Sequence, residues 1–427
     1  MIFVNLLISV KRKFNRFWEE KIFRIAILLH LFYYLLSIIL FFTVLSEKND
    51  FLIFYESGKI FLNDINNLYN QTYYLWDFRY FPLSALFFVP FSLIDFGLAF
   101  VLFNTLNLFL NFLIIMLLYG IIKRVRGKDH EQNDKRIILY ISIYLMGVPH
   151  VLNYIYGQIN LFITLFILIS LLIFLTYKSN VWQFIGSFIL GISIIIKPTS
   201  IFLIPFLLIL HFDLEKRKLR IDFFKSFIRI FGVILPVLSN FVLFAAFPKL
   251  WEDFLATNFT GSNPIALNFS YSLTKLITNF CFLYNIPFNQ LTILLVSVGI
   301  VGGIGFIIFV LRRREQNSIL YGYTFGILIM LLTYFDSWDH HLLNLTPLLI
   351  IIIFNLPRKT ELLNYIKPSL FFFNFFDILF VGIWYLTYPL FPYNFVGTFF
   401  LILVLFGVIK YCLVKKSKNV EVSIHEG

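Results

Sequence analysis

The sequence predicts an all-α polytopic membrane protein, a helical bundle of about 12 transmembrane helices. Three observations carry this. Of the 427 residues, 59% are hydrophobic and 14% charged, mean hydropathy is +0.85, and apolar runs long enough to cross about 30 Å of hydrocarbon recur to the end of the chain. The 35 Lys and Arg stand in short blocks between those runs, so the net charge of +12 reads as a topology signal and not as a nucleic-acid footprint. No internal period marks a repeat, and residues 1–427 are read as a single transmembrane domain. Cys281 and Cys412 lie far apart with no ligand-like spacing, which indicates neither a disulfide framework nor a metal site.

Taken in order, residues 1–21 are too charged after Val10 for a signal peptide and read as a basic cytoplasmic segment lying on the membrane surface. A first span follows from Ile22 to Leu45. Lys11, Arg12, Lys13, Arg16, Lys21 and Arg24 lie before or at its start and place the N-terminus in the cytoplasm. Residues 46–82 then form the first extracytoplasmic loop. The apolar material from Phe81 to Tyr119 is interrupted at Asp95–Gly97, and the block from Lys123 to Arg136 carries six Lys or Arg. A cytoplasmic block there requires a single crossing after Asp50, so Leu83–Ile94 is predicted to be re-entrant or interfacial. Further spans are expected near 136–152, 157–177, 181–197, 199–211, 227–248, 289–311, 318–335, 341–355, 368–388 and 394–414. Residues 415–427 complete the chain as a cytoplasmic tail. This arrangement puts all but six of the Lys and Arg in the cytoplasm, the exceptions being Lys48, Lys59, Arg79, Lys197, Lys249 and Lys275.

The polar chemistry gathers on the extracytoplasmic side. Asp50 stands within about one turn of the first span's end, and three readings apply to it: a solvated interfacial carboxylate, a helix N-cap, or a general base acting at the membrane surface. Gly157, Gln158 and Asn160 either start a helix or offer a helix N-terminus with amides to an anionic or sugar ligand. Lys197 ends an uninterrupted apolar run just before Pro198, and either snorkels to the outer headgroups or is the counter-charge of a lipid phosphate. His340 and His341 have Asp336 and Asp339 beside them. Their spacing allows a metal, although the loops supply few further ligands, and it suits phosphate or sugar contact. Asp377 is a carboxylate near the middle of a span, with Asn374 one turn before it.

The order of these pieces resembles a known family. Asp50-Phe51-Leu52-Ile53-Phe54-Tyr55, then Leu68-Tyr69, Phe78-Arg79-Tyr80-Phe81-Pro82-Leu83 with Pro90, Tyr156-Gly157-Gln158-Ile159-Asn160 and Ile196-Lys197-Pro198 are similar to the polyprenol-phosphate-dependent GT-C glycosyltransferases. Within these they are most similar to the α-1,2-mannosyltransferase-like glycosyltransferase family 87. Ser337-Trp338-Asp339-His340-His341 resembles that family's late outer loop, whereas Pro248–Asn289 aligns with nothing in it.

The resemblance implies inverting transfer of a hexose, mannose first among the candidates, from a polyprenyl-phosphate sugar to a glycolipid or glycan acceptor hydroxyl. Asp50 would be the catalytic base. Arg79, Tyr80, Gln158, Asn160, Lys197, Trp338, His340 and His341 would bind substrate. Membrane lipids are the other expected partners; no nucleic acid, metal or cofactor is expected, the lipid-phosphate sugar being a substrate. The chemistry agrees: displacement at a sugar carbon needs one carboxylate for the acceptor proton and cations for the departing phosphate. The expected location is the cell membrane, multi-pass, with both termini cytoplasmic and the active site outside. The competing class is a transporter or flippase of lipid-linked sugars, which would place its site near the midplane between two corresponding halves.

Overall fold

The computed structural model describes residues 15–46, 48–126, 134–260, 269–313, 317–382 and 395–414. Most of the basic N-terminal segment, much of the loop after Lys123, parts of the 248–289 loop and of the 368–388 span, and the tail 415–427 lie outside the described residues.

Helix α1 (Lys21–Leu40) runs on through a π-helical turn to Leu45. Helix α2 (Phe51–Asn63) follows, then two short 3-10 turns, α3 (Pro82–Ser92) and α4 (Phe96–Val125). At 11 residues α3 is about 16 Å long, half the thickness of the hydrocarbon. The 30 residues of α4 are more than enough to cross it. The interruption seen in the sequence is the cap of α4, where Asp95 Oδ1 accepts from Gly97 N (2.9 Å) and Leu98 N (3.2 Å). Lys123 and Arg124 lie in its last turn, where the helix dipole favours cations.

Helices α5 (Asp134–Met146) and α6 (Val148–Ile155) are separated at Gly147, and α7 (Asn160–Thr176) and α8 (Asn180–Ile196) form the next pair. Pro198 stops α8, leaving Lys197 extended (φ −148, ψ 118), and a 3-10 helix spans Pro198–Leu207. At about 2 Å rise per residue that helix covers about 20 Å, and it leads into a hairpin of β1 (Leu210–Asp213) and β2 (Lys218–Ile221), with Leu210 opposite Ile221. The chain continues through α9 (Phe223–Ala246), α10 (Pro248–Leu255), α11 (Leu273–Leu283) and α12 (Gln290–Ser297), then by a π-helical turn into α13 (Gly303–Leu311). It ends with α14 (Ser318–Thr333), α15 (Leu342–Asn355), α16 (Leu363–Phe371), α17 (Asp377–Gly382) and α18 (Val396–Leu413).

Six helical stretches among the described residues are long and apolar enough to cross a membrane: Lys21–Leu45, Phe96–Val125, Asp134–Ile155, Phe223–Ala246, Gln290–Leu311 and Val396–Leu413. The remaining apolar helices are shorter. In α14 every residue from Ile319 to Thr333 is buried, and in α15 every residue from Leu342 to Phe354. Helices that are apolar on all sides belong in the interior of a bundle, and α7 packs against both.

The two ends of this bundle differ in chemistry. Helix α7 begins at Asn160 beside Lys197, and its other end receives the Arg124 guanidinium on Leu175 O and Thr176 O (both 3.3 Å). At that second end Asp134 pairs with Arg16, Lys123 and Arg126, and the hairpin carries Lys218 and Arg220. The first end carries Asp50, Asp336, Asp339 and the two histidines.

Candidate active site

The first end is built on a tight turn. Gly157 adopts φ +62, and a Cβ there would lie 2.6 Å from Phe51 Cβ, so only glycine fits. The turn lets Phe51 N donate to Tyr156 O (3.1 Å) and aims Gln158 back at the residue before Phe51. Gln158 Nε2 donates to Asp50 Oδ2 in a short bond.

Asp50 stands at the N-cap of α2, but its side chain makes no cap bond. Asn49 does the capping: its Oδ1 accepts from Leu52 N (3.1 Å) while its Nδ2 donates to Leu45 O (2.8 Å). The carboxylate is thereby free to face Gln158. Burial pushes the Asp50 carboxyl above the usual carboxylate range and Asp336 adds to this, while the Gln158 amide and the Lys197 ammonium oppose it.

Lys197 does not reach for the surface. It is 5% exposed, and Nζ donates to Asn160 Oδ1 (3.0 Å) and Gln158 Oε1 (3.3 Å). Gln158 thus bridges the carboxylate and the ammonium, donating to Asp50 and accepting from Lys197. Asn160 is fixed in turn, its Nδ2 donating to Asn153 Oδ1 (3.5 Å). Behind this lies a buried polar layer in which Asn107 Nδ2 donates to Gln158 O (3.4 Å) and Asn104 Nδ2 to Tyr154 O (3.0 Å). The Tyr154 hydroxyl meets His30 Nε2 at 2.9 Å.

The histidine pair closes the site from the α14–α15 connection. His340 and His341 are buried with rings 4.6 Å apart, and the Lys197 charge acts on both. Burial, with Lys197, holds His340 well below its ordinary pKa. Trp338 N donates to His341 Nδ1 (3.0 Å), so a neutral His341 ring carries its proton on Nε2, which has no partner among the described residues. Trp338 itself contributes this backbone contact and a ring 6.4 Å from Phe269. Asp339 turns away: Tyr271 donates its hydroxyl proton to Oδ1 (2.6 Å), and burial pushes the Asp339 carboxyl up to about 7.

Arg79 is placed differently from the other cations. Its guanidinium donates to Asp336 Oδ2 (3.1 Å) and Asp77 Oδ2 (3.3 Å), so two carboxylates already face it. Tyr80 is half-buried against Phe54 (5.2 Å), and burial pushes its phenol well up, with Tyr334, Asp50 and Asp336 acting in the same direction. Two residues that the sequence reading left out of the site belong to this neighbourhood. Asp336 couples to Asp50, Arg79 and Lys197. Lys275, buried on α11, faces Asp336 and Arg79, and burial pulls its ammonium down against Asp336. A signal for Lys275 existed: it is one of the six Lys and Arg expected outside the cytoplasm. Asp377 is buried with Oδ1 beside Gly397, and among the described residues neither carboxylate oxygen has a hydrogen-bond partner.

Among the described residues no three His, Cys, Asp or Glu side chains are grouped as metal ligands. The arrangement gathers at one end of the bundle the Asp50 carboxylate, the buried Lys197 ammonium 3.3 Å from the Gln158 amide that holds it, and the His341 ring, with Asp336 and Lys275 beside them.

No curated protein matches this chain. The profile of glycosyltransferase family 87 matches residues 78–334, which includes Arg79, Tyr80, Gln158, Asn160, Lys197 and Lys275. Asp50 and the Trp338–His341 turn lie outside it and join the matched part through Gln158 and Tyr271 respectively. The match spans well over half of the 427 residues, and the chain belongs to glycosyltransferase family 87.

Proposed function

We propose that this glycosyltransferase moves a hexose, mannose being the first candidate, from a polyprenyl-phosphate sugar to a hydroxyl of a glycolipid or glycan acceptor, with inversion, on the extracytoplasmic side. The observation that supports it is the chain Asp50–Gln158–Lys197–Asn160, which ties a carboxylate to a buried cation through one amide. In the reaction the acceptor oxygen attacks the anomeric carbon, and the bond from that carbon to the phosphate oxygen breaks. The bonding pair leaves with the phosphate, and the acceptor proton passes to Asp50. Lys197 and the His341 Nε2 proton stabilise the charge that develops on the phosphate, an interaction that grows toward the transition state. Phosphate departs as an anion and needs no acid of its own.

The sidedness rests on the basic residues at the opposite end, which the positive-inside rule assigns to the cytoplasm. Twelve crossings, with both termini cytoplasmic, satisfy that assignment when Asn160–Thr176, Asn180–Ile196, Pro198–Leu207, Ser318–Thr333, Asp339–Asn355 and the 368–388 span cross as well. The test is a panel of polyprenyl-phosphate sugars offered to the purified, reconstituted protein with membrane lipid acceptors. One donor turned over with inversion supports the reading, and transport of intact donor across the bilayer without transfer contradicts it. A cysteine at Asn66 should react with an impermeant reagent on intact cells; reaction only after permeabilisation would reverse the sidedness.

A further inference from the structure

A buried polar layer runs into the bundle from the turn that carries Gln158 and Asn160, between α1, α4, α5 and α6. Asn104, Asn107 and Asn111 stand three and four residues apart on α4, a spacing that sets them on one face. Asn111 is halfway along that helix, about 22 Å from its first residue, so the layer reaches well inside the hydrocarbon. Amides at that depth are costly unless their hydrogen bonds are made.

Part of the layer satisfies itself. His30 Nδ1 lies 3.1 Å from Leu145 O and must donate to it, so in the neutral ring Nε2 accepts. Asn111 Nδ2 (3.0 Å) and the Tyr154 hydroxyl (2.9 Å) both reach that nitrogen. Asn111 Nδ2 also lies 3.4 Å from His150 Nδ1, and the His150 ring stands edge-on to His30 (4.8 Å) and Tyr144 (4.6 Å).

Five polar atoms of the layer are left over. Asn107 Oδ1, Asn111 Oδ1, Asn153 Nδ2, the Tyr144 hydroxyl and His150 Nε2 are buried with no partner among the described residues, and each belongs to a side chain at most 1% exposed. Two of the five accept, the Asn153 nitrogen donates, the hydroxyl does both, and the His150 nitrogen does one or the other according to its tautomer. A cation would satisfy only the acceptors, and an anion only the donors. Water donates and accepts, and so matches the mixed set. The upper members adjoin the catalytic turn, since Asn107 Nδ2 donates to Gln158 O (3.4 Å) and Asn153 O accepts from Gln158 N (2.8 Å).

We propose that this layer binds a cluster of ordered water molecules, held by Asn107, Asn111, Tyr144, His150 and Asn153. A buried water makes about three hydrogen bonds, so about two molecules suffice for the five atoms. The cluster supports the Gln158 turn from below by bonds that the side chains of the layer do not make to one another. It does not depend on the donor or the base assigned above.

The test is X-ray radiolytic footprinting of the full chain in nanodiscs, read by mass spectrometry. Radiolysis splits a bound water into a hydroxyl radical, which oxidises the side chains beside it. Tyr144, Tyr154 and Tyr323 are all fully buried at 0% exposed, and the Tyr323 hydroxyl already pairs with Ser170 Oγ (2.7 Å), so Tyr323 is the control for radicals from bulk solvent. Tyr144 and Tyr154 should be oxidised several-fold faster than Tyr323. Irradiated at once after dilution into water of heavy oxygen, they should carry the light oxygen of resident water. Asn111→Leu, similar in size and without the amide, should bring Tyr144 down toward the control, with circular dichroism checking the fold. Should that variant not fold, Tyr144→Phe, which removes one of the five atoms from the same ring, should slow oxidation of His150. Rates at Tyr144 and Tyr154 no higher than at Tyr323, prompt uptake of heavy oxygen, or rates unchanged in the folded variant would overturn the proposal.

Discussion

The two ends of the bundle use their cations in opposite ways. At one end Lys197 is 5% exposed and held by two side-chain amides, with a carboxylate and two histidines around it. At the other, Lys178 is exposed, Lys225 and Arg229 are half-buried, and Arg16, Lys123 and Arg126 share one aspartate at the surface. Placing a cation inside a membrane protein is costly, so it persists where something requires it. Surface cations cost little, and their number follows the membrane's orientation. Arg312 at the other end is buried too, at 6% exposed, and donates to the Leu210 and Phe309 carbonyls; what sets the candidate site apart is the carboxylate and the histidines gathered around its buried ammonium.

That division is broken or sharpened most sharply by lysine substitutions at the two ends. Lys197→Ala should lower kcat/KM at limiting donor about 10²- to 10³-fold, the range for loss of one preorganised donor to a developing anion, while Lys225→Ala should stay within about twofold of wild type. Steady-state kinetics with varied donor checks both. Similar losses at the two positions would erase the distinction.

A second, smaller effect is the position of the acid limb of the pH profile. Asp50 acts as a base only when ionised, and burial raises its pKa, so activity should fall with decreasing pH at a midpoint above the ordinary carboxylate value of about 4. Asp336→Asn removes a negative neighbour, eases ionisation of Asp50 and should move the midpoint down. Lys197→Met removes a positive one and should move it up. Profiles of kcat/KM for the three proteins test the pair of shifts, and a midpoint that ignores both substitutions would detach the base from this cluster.

The smallest effect concerns the fold that presents Asp50. Asn49→Ala removes the cap of α2 and should cost about 1–2 kcal/mol of stability, read as a lower thermal unfolding midpoint in detergent. Asn49→Ser keeps a capping oxygen without adding a buried charge and should recover part of it.

Much of the site was legible because the chain is so apolar: a carboxylate, an amide pair and a lysine stand out between spans, and Asp50, Gln158, Asn160 and Lys197 meet through side-chain hydrogen bonds. Of the readings the sequence left open at Asp50, geometry removes the helix cap, since the cap bond belongs to Asn49. Of the two partners of Arg79, Asp77 is local, but Asp336 was hidden because it is far away in the sequence and nothing local marks the pair. Lys275 was hidden for the same reason, in a stretch whose motif content is low. Spans were only partly legible. Hydropathy finds apolar helices, but α14 and α15 are buried on every side by protein, and composition alone does not distinguish that surrounding from lipid.

The central claim is that Asp50 takes the acceptor proton, and single-turnover transfer by Asp50→Asn, preloaded with a polyprenyl-phosphate sugar, tests it most directly. Asparagine keeps the size of the side chain and an oxygen for the Gln158 amide but cannot accept a proton. The account predicts a folded variant that binds donor with near wild-type affinity and transfers about 10²- to 10⁴-fold more slowly. Transfer at a rate within a few fold of wild type would contradict it and move the base to another carboxylate, Asp336 being the first to examine.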